Sequence, residues 1–428
     1  MRGVYVLLLI SLFGYAGRVG GQESVTITQC YEWARANYPQ IHQMGLIDQT
    51  ERYSLSNVGK AWLPQLSVSG KASYQSDVTK LPLDGDKISS LLPGFEIPSL
   101  SKDQYQVVAQ VDQTIWDGGS ARSARALTRA EATANREQLE SELYALNDRV
   151  NQLYFGCLLQ DELIRQNALL QKELQVNIER IEAMMENGVA NQSDLESMEV
   201  ELLNARQNEI ELKASRTVYR QMLATFINKP LTDQVVLKTP ESPERSLSTQ
   251  INRPELRALD AKSEWIETQN KQVTAGLMPR IGAFVQGGYG RPGSNMLEDS
   301  FEPYYVAGVR LSWNLGKLYT LKNDRRKIEV SRRQIDVQRE TFLFNTRLQL
   351  LRQNTEIKKM TDLMRADDDI IRLRTSIKQA AEVKLENGVI SVTDLIREIN
   401  AEDMARQTAA AHRVQRLMTI YNYMYTTN

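Results

Sequence analysis

The chain holds only two imidazoles, His42 and His412, and two thiols, Cys30 and Cys157. A structural zinc centre takes four nitrogen or sulfur ligands at close spacing, and these residues are scattered. The sequence contains no G-x-x-x-x-G-K loop, no H-E-x-x-H and no G-x-S-x-G, so the common phosphate, metalloprotease and nucleophile motifs are missing. Carboxylates are plentiful, 53 against 52 Lys and Arg. They lie on long amphipathic stretches, where a charge run is a solvated helix face. The near-neutral balance argues against a nucleic-acid partner, which selects a basic face. What remains is a small constellation that occurs twice. Glu186-Asn187-Gly188-Val189 is followed by Asp194-Leu195, and 200 residues later Glu386-Asn387-Gly388-Val389 is followed by Asp394-Leu395. Ala205-Arg206-Gln207 likewise returns as Ala405-Arg406-Gln407. Three pieces in register mark an internal duplication. Each Asn-Gly supplies the left-handed residue that ends a helix. Asn191 and Ser391 are good N-caps for the next one, and Asp194 and Asp394 fall in its first turn, where a carboxylate meets the helix dipole favourably.

The elements that carry these turns are long helices. Residues 99–229 and 304–428 contain no proline, which permits helices of unusual length. Leu139, Leu143, Leu146, Val150, Leu153 and Cys157 alternate spacings of four and three, a coiled-coil seam. The spacing predicts two helical hairpins, each with a long arm of about 67 to 70 residues and a short arm of about 36 or 37. At ~1.5 Å per residue these reach ~100 Å and ~55 Å, too long for an ordinary domain core.

Before each long arm the texture changes. Leu66, Val68, Gly70, Ala72 and Tyr74 alternate with polar residues, and Tyr105, Val107, Ala109 and Val111 do the same. Ile281, Ala283, Val285, Gly287 and Tyr289 share a face, as do Ala307, Val309, Leu311 and Trp313. This period-2 pattern, with aromatic residues at its ends, is that of outer-membrane strands, the alternative being a soluble antiparallel sheet; the membrane reading carries a further requirement. Four strands cannot close a membrane barrel, which takes about eight or more. Open edges are excluded from lipid, so strands must be pooled: eight from two chains or twelve from three.

At the N-terminus, Arg2 precedes an apolar run from Val4 to Phe13, followed by Gly17, Gly20 and Gly21. Such a run is too short to span a bilayer of ~30 Å and suits a signal peptide over residues 1–21. The expected organisation is then a first repeat over 22–228, a belt segment over 229–252 and a second repeat over 253–428.

This arrangement resembles the TolC-type outer membrane efflux protein family. The resemblance is carried by Cys30 through Pro39, Leu63-Pro64-Gln65-Leu66, Trp116-Asp117-Gly118-Gly119, the two Asn-Gly-Val turns with their Asp-Leu, Arg253-Pro254-Glu255-Leu256 and Met278-Pro279-Arg280-Ile281. It implies a mainly α chain whose hairpins form a trimeric α-barrel. The strands of three chains would form a twelve-stranded β-barrel in the outer membrane, above a large periplasmic part. It implies a passive duct rather than an enzyme, with no cofactor. The partners implied are outer membrane lipid, a periplasmic adaptor and an inner-membrane pump. It assigns docking to the turns: Gly188, Val189 and Ala190, with Gly388, Val389 and Ile390. It makes Asp394 the pore gate. Where some members carry a second acid and a Tyr–Arg latch, this chain has Arg397, Leu385 and Ile390, and an apolar constriction at Leu385 and Ile390 is expected instead. The alternative is a periplasmic coiled-coil scaffold or adaptor without a pore. The two cysteines are expected as buried free thiols rather than a disulfide.

Overall fold

The computed structural model describes residues 24–78, 100–242, 248–295 and 298–428. The expected signal peptide and most of the loop between the first two long strands lie outside these residues. The chain divides into two compact units. One comprises residues up to Ile41, Glu142–Arg253 and Leu343–Asn428; the other comprises His42–Ser141 and Pro254–Phe342.

The first unit is helical. α1 (Ile27–Asn37) opens on a Thr26–Gln29 capping box. It ends because Pro39 excludes helical geometry at Tyr38, which is extended at ψ 126°. A 3-10 turn at Pro39–His42 follows. α4 (Leu146–Glu186) and α5 (Gln192–Ile227) form one hairpin. α7 (Lys317–Glu386) and α8 (Val392–Thr427) form the other. α7 and α3 (Ser120–Tyr144) contribute to both units. α3 and α4 together replace the single arm of about 67 residues expected from the sequence, with Ala145 between them. Ala145 keeps φ −60° and ψ −17°, a 3-10-like geometry that tightens the turn without leaving the helical region. Beside it Tyr144 stacks on Tyr425 at 5.0 Å and donates its hydroxyl proton to Tyr425 O at 3.0 Å.

Two apolar cores hold this unit. The first joins Val25, Ile27, Cys30 and Ala34 to Val150, Tyr154, Phe155 and Cys157, and to Leu223, Ile227, Val235 and Leu237. Both cysteines are free and fully buried there. A two-residue parallel pair, β1 (Ser24–Val25) with β4 (Val236–Leu237), seals its edge. The Tyr154 hydroxyl lies 2.8 Å from Val25 O and 2.7 Å from Lys238 O and shares its proton between them. The second core lies at the hairpin turns. It packs Leu174, Ile178 and Ile181 of α4 and Met198 and Leu202 of α5 against Ala381 and Leu385 of α7 and Val392, Leu395 and Ile399 of α8.

The second unit contains α2 (Gln43–Lys60) and α6 (Pro254–Ala275) with parts of α3 and α7. It also holds a four-stranded antiparallel sheet in the order β2 (Gln65–Tyr74), β3 (Asp103–Trp116), β5 (Arg280–Arg291), β6 (Glu302–Ser312). Ile266 of α6 packs on Ile328 and Ile335 of α7.

Candidate functional site: the exposed sheet and the hairpin turns

The register of the sheet puts like with like. Leu66 faces Val111, Val68 faces Ala109, and Gly70 faces Val107. Val107 then pairs with Tyr289 and Val111 with Val285. Val285 pairs with Ala307, Ala283 with Val309, and Ile281 with Leu311. Because side chains alternate strictly along a strand, these partners share one face. That face is apolar across all four strands, yet it is uncovered: Leu66 is 71% exposed, Val309 70% and Tyr305 82%. An apolar surface of this extent is not left to water. The opposite face carries Ser67, Ser69, Lys71, Gln106, Gln110 and Gln286. Arg310 lies over the Phe284 ring at 4.9 Å. A cavity of about 580 Å³ adjoins it, lined among others by Asp112, Arg280, Arg310 and Lys317. Strands of about ten residues at ~3.3 Å each, tilted as in membrane barrels, match the apolar band of ~25 Å. Among the described residues no helix is long and apolar enough to cross a membrane.

Residues 30–229 match the family model of outer membrane efflux proteins. Over that stretch the chain is similar to outer membrane efflux proteins. No curated protein matches it. Several solved structures share its fold. CusC, studied for folding and transmembrane channel formation, is 14% identical at a TM-score of 0.66, over 94% of this chain and 92% of that one. VceC from Vibrio cholerae is 12% identical at 0.62, over 93% and 95%. The MtrE outer membrane channel of Neisseria gonorrhoeae is 14% identical at 0.64, over 94% and 88%. An outer membrane location with a large periplasmic part gives the uncovered apolar face a destination, namely the hydrocarbon of that membrane.

The two hairpin turns are built alike. In the first, Gly188 N donates to Met185 O at 2.9 Å and Val189 N to Met184 O at 2.8 Å. In the second, Gly388 N donates to Leu385 O at 2.9 Å and Val389 N to Lys384 O at 2.8 Å. Both are Schellman motifs, which require a left-handed residue after the cap. Gly188 at φ +72° and Gly388 at φ +69° provide it. No heavy atom lies within 4 Å of where a Cβ would stand at either glycine. Val189 and Val389 are 58% and 68% exposed, while Ala190 and Ile390 are half-buried against the hairpin core. The turns therefore present small and apolar groups to the outside.

Asp394 is committed to a capping box. Its Oδ2 accepts from Ser391 Oγ at 2.8 Å and from Ser391 N at 3.2 Å, and its own N–H donates to Ser391 Oγ at 3.2 Å. Its Oδ1 lies 3.4 Å from Arg397 Nη2. The Ser391 hydrogen bonds, with the nearby guanidinium, hold the Asp394 carboxyl below its ordinary range. Asp194 makes the same box with Asn191. Leu385 is only 3% exposed and packs into the hairpin core, so within one chain it joins the helices rather than lining an opening.

A charged cluster near the turns has no counterpart among the sequence motifs. Glu402 of α8 is buried and takes Lys378 Nζ at 2.6 Å and the Thr375 hydroxyl at 2.6 Å. Lys378 also pairs with Glu173 of α4, and Arg406 with Glu402. Burial raises the Glu402 carboxyl, but the bonds from Lys378, Thr375 and Arg406 override it and hold it at about 2. Beside it, burial pushes Asp403 up to about 6, with Glu173 and Glu402 adding to the rise. The signal was present in the spacing. Lys378 precedes Ala381 and Leu385 at seam intervals, and Glu402 follows Leu395 and Ile399, so two opposite charges occupy apolar positions of neighbouring arms.

Proposed function

We propose that this protein is the passive exit duct of a tripartite efflux or secretion system. Three copies pool their sheets into a twelve-stranded barrel. The hairpins form the periplasmic tunnel, which docks at its turns on an adaptor and an inner-membrane pump. The observation that carries this reading is the coherent, uncovered apolar sheet face, bounded by edge strands β2 and β6 that have no outer partner among the described residues. An open edge in lipid leaves backbone groups unsatisfied at several kcal/mol each, and pooling removes it. Gly188, Val189, Ala190, Gly388 and Val389 form the docking surface, with Ile390 beside them. Asp394 and Arg397 are the exposed charged part of the gate, and Leu385 and Ile390 its apolar backing. The test is mass measurement of the full-length protein in mild detergent, followed by conductance in planar bilayers. A trimer that conducts supports the duct. A detergent monomer, or a trimer without conductance, overturns it.

A further inference from the structure

Six cations gather where the strands hand over to the helices. Arg122 stands in the first turn of α3, Lys271 in the last two turns of α6, and Lys317, Lys322, Arg325 and Arg326 in the first three turns of α7. All six are exposed, and none makes an ion pair among the described residues. Farther along, four cations of the same helices are matched by acids. Arg332 pairs with Glu267 at 2.8 Å, Arg333 with Glu329 at 2.6 Å, Arg339 with Asp260 at 2.5 Å and Arg136 with Asp48 at 2.8 Å. In the strand-proximal turns of α7 the excess is local, because Asp324 is the single acid between Lys317 and Lys327.

These turns adjoin the apolar face. Trp313, at its end, is largely exposed and donates its indole N–H to Leu277 O at 3.0 Å. The next residue, Met278, closes one end of a groove of about 500 Å³ between α3 and α6. Gly118, Ala126 and Ala275 contribute small apolar lining to it, and Arg122 and Lys271 stand beside them. At ~1.5 Å per residue Arg122 lies ~3 Å and Lys271 ~6 Å from the strand-proximal ends of their helices, within the depth of the polar headgroup layer. The groove therefore offers an apolar lining continuous with the hydrocarbon-facing surface, and two unpaired cations at phosphate depth. A zwitterionic headgroup would bring an ammonium against those cations, whereas an anionic phosphodiester would not.

We propose that the groove between α3 and α6 binds an anionic phospholipid of the periplasmic leaflet. The phosphate sits between Arg122 and Lys271, and the acyl chains run along the apolar face past Met278 and Trp313. The proposal rests on the outer membrane location alone and holds whatever the duct exports.

The test uses the full-length protein in mild detergent. It is offered phosphatidylglycerol and phosphatidylcholine of equal chain length in equal amounts, and retained lipid is counted per chain by native mass spectrometry. Two surface cations predict a preference for phosphatidylglycerol of about tenfold or more. Arg122→Gln/Lys271→Gln should bring the ratio near one. The charge-keeping Arg122→Lys/Lys271→Arg should preserve it, as should Lys172→Gln/Arg206→Gln, which removes two exposed charges of the other compact unit. Each single glutamine variant should fall between, which keeps the test decisive if the double variant fails to fold. Equal retention of the two lipids by the native protein, or an unchanged ratio in the glutamine variants, overturns the proposal. Because lipid is counted per chain, this outcome is separate from the trimer and conductance results.

Discussion

Lys378 of α7 holds its ammonium 2.6 Å from the buried carboxylate of Glu402 on α8, the opposite arm of the same hairpin. Lys378 also reaches Glu173 of α4, so one cation ties the second hairpin to the first. Removing one partner of a buried ion pair leaves the other uncompensated.

Lys378→Met should therefore destabilise the protein by about 3 kcal/mol, read by denaturant unfolding. Lys378→Met/Glu402→Gln should recover at least half of the loss, because the orphaned charge is then gone. The acid side of the pair has its own signature. The Glu402 carboxyl sits below its unfolded value, so its contribution is complete above the ordinary carboxylate pKa of about 4.3 and is lost as pH falls towards about 2. A single variant within 0.5 kcal/mol of the parent, by the usual size of a neutral surface change, would show that the pair does no structural work.

Why this cluster escaped the sequence reading follows from what patterns report. Helix ends were legible because Asn187-Gly188 and Asn387-Gly388 need a left-handed backbone, and Asn191 and Ser391 supply the caps. The four long strands were legible because alternation persists over ten or more residues, and the apolar positions named from the sequence share one face in the observed register. The β1–β4 pair is two residues long, too short for any period. The lapse at Ala145 lies within an unbroken helical pattern, beside the long-range stacking of Tyr144 on Tyr425. The expectation of a constriction at Leu385 comes from the place of a latch in some members of the family, not from any pattern in the chain, and within one chain Val392, Leu395 and Ile399 pack around it. A seam position occupied by Lys378 or Glu402 looks like an error in the seam until its partner on another arm is known.

Asp403 should make stability fall as pH rises. Its carboxyl is pushed up to about 6 by burial, by Glu173 and by Glu402, against the opposing effects of Gln407 and Arg406. Between the unfolded value of about 3.9 and 6 the folded state keeps a proton that the unfolded chain has released. Its favourable contribution is full below that window and gone above it. Asp403→Asn should therefore raise stability at pH 7.5 by about 1–2 kcal/mol and leave it unchanged near pH 4. Thermal unfolding at both pH values checks this, and an equal shift at both would assign the effect to packing.

Asp394→Asn separates capping from gating. The amide can still accept at its oxygen, so the helix start should weaken by about 1 kcal/mol or less. If three Asp394 carboxylates ring a pore, the variant should lower the cation preference measured as reversal potential in a salt gradient. An unchanged reversal potential would leave Asp394 as a cap alone.

Gly388→Trp probes docking. The left-handed backbone disfavours any side chain by about 1–2 kcal/mol, but the Cβ position is open, so the fold should survive. Normal trimer yield with lost efflux is the expected outcome. Normal yield with normal efflux would remove the turn from the docking surface.

Cys30 and Cys157 offer a last check on the core that joins α1 to α4. Both are fully buried in the same cluster as Tyr154, Phe155 and Leu223. Burial pushes each thiol up to about 12, so neither is a thiolate at working pH, and a thiol rather than a thiolate is a poor nucleophile. A maleimide at pH 7.5 should leave the native protein unlabelled over hours. Denaturation without reductant should then yield two labels per chain. One prompt label in the native state would mean that this core opens, and none after denaturation would mean that the oxidising compartment has bridged the pair.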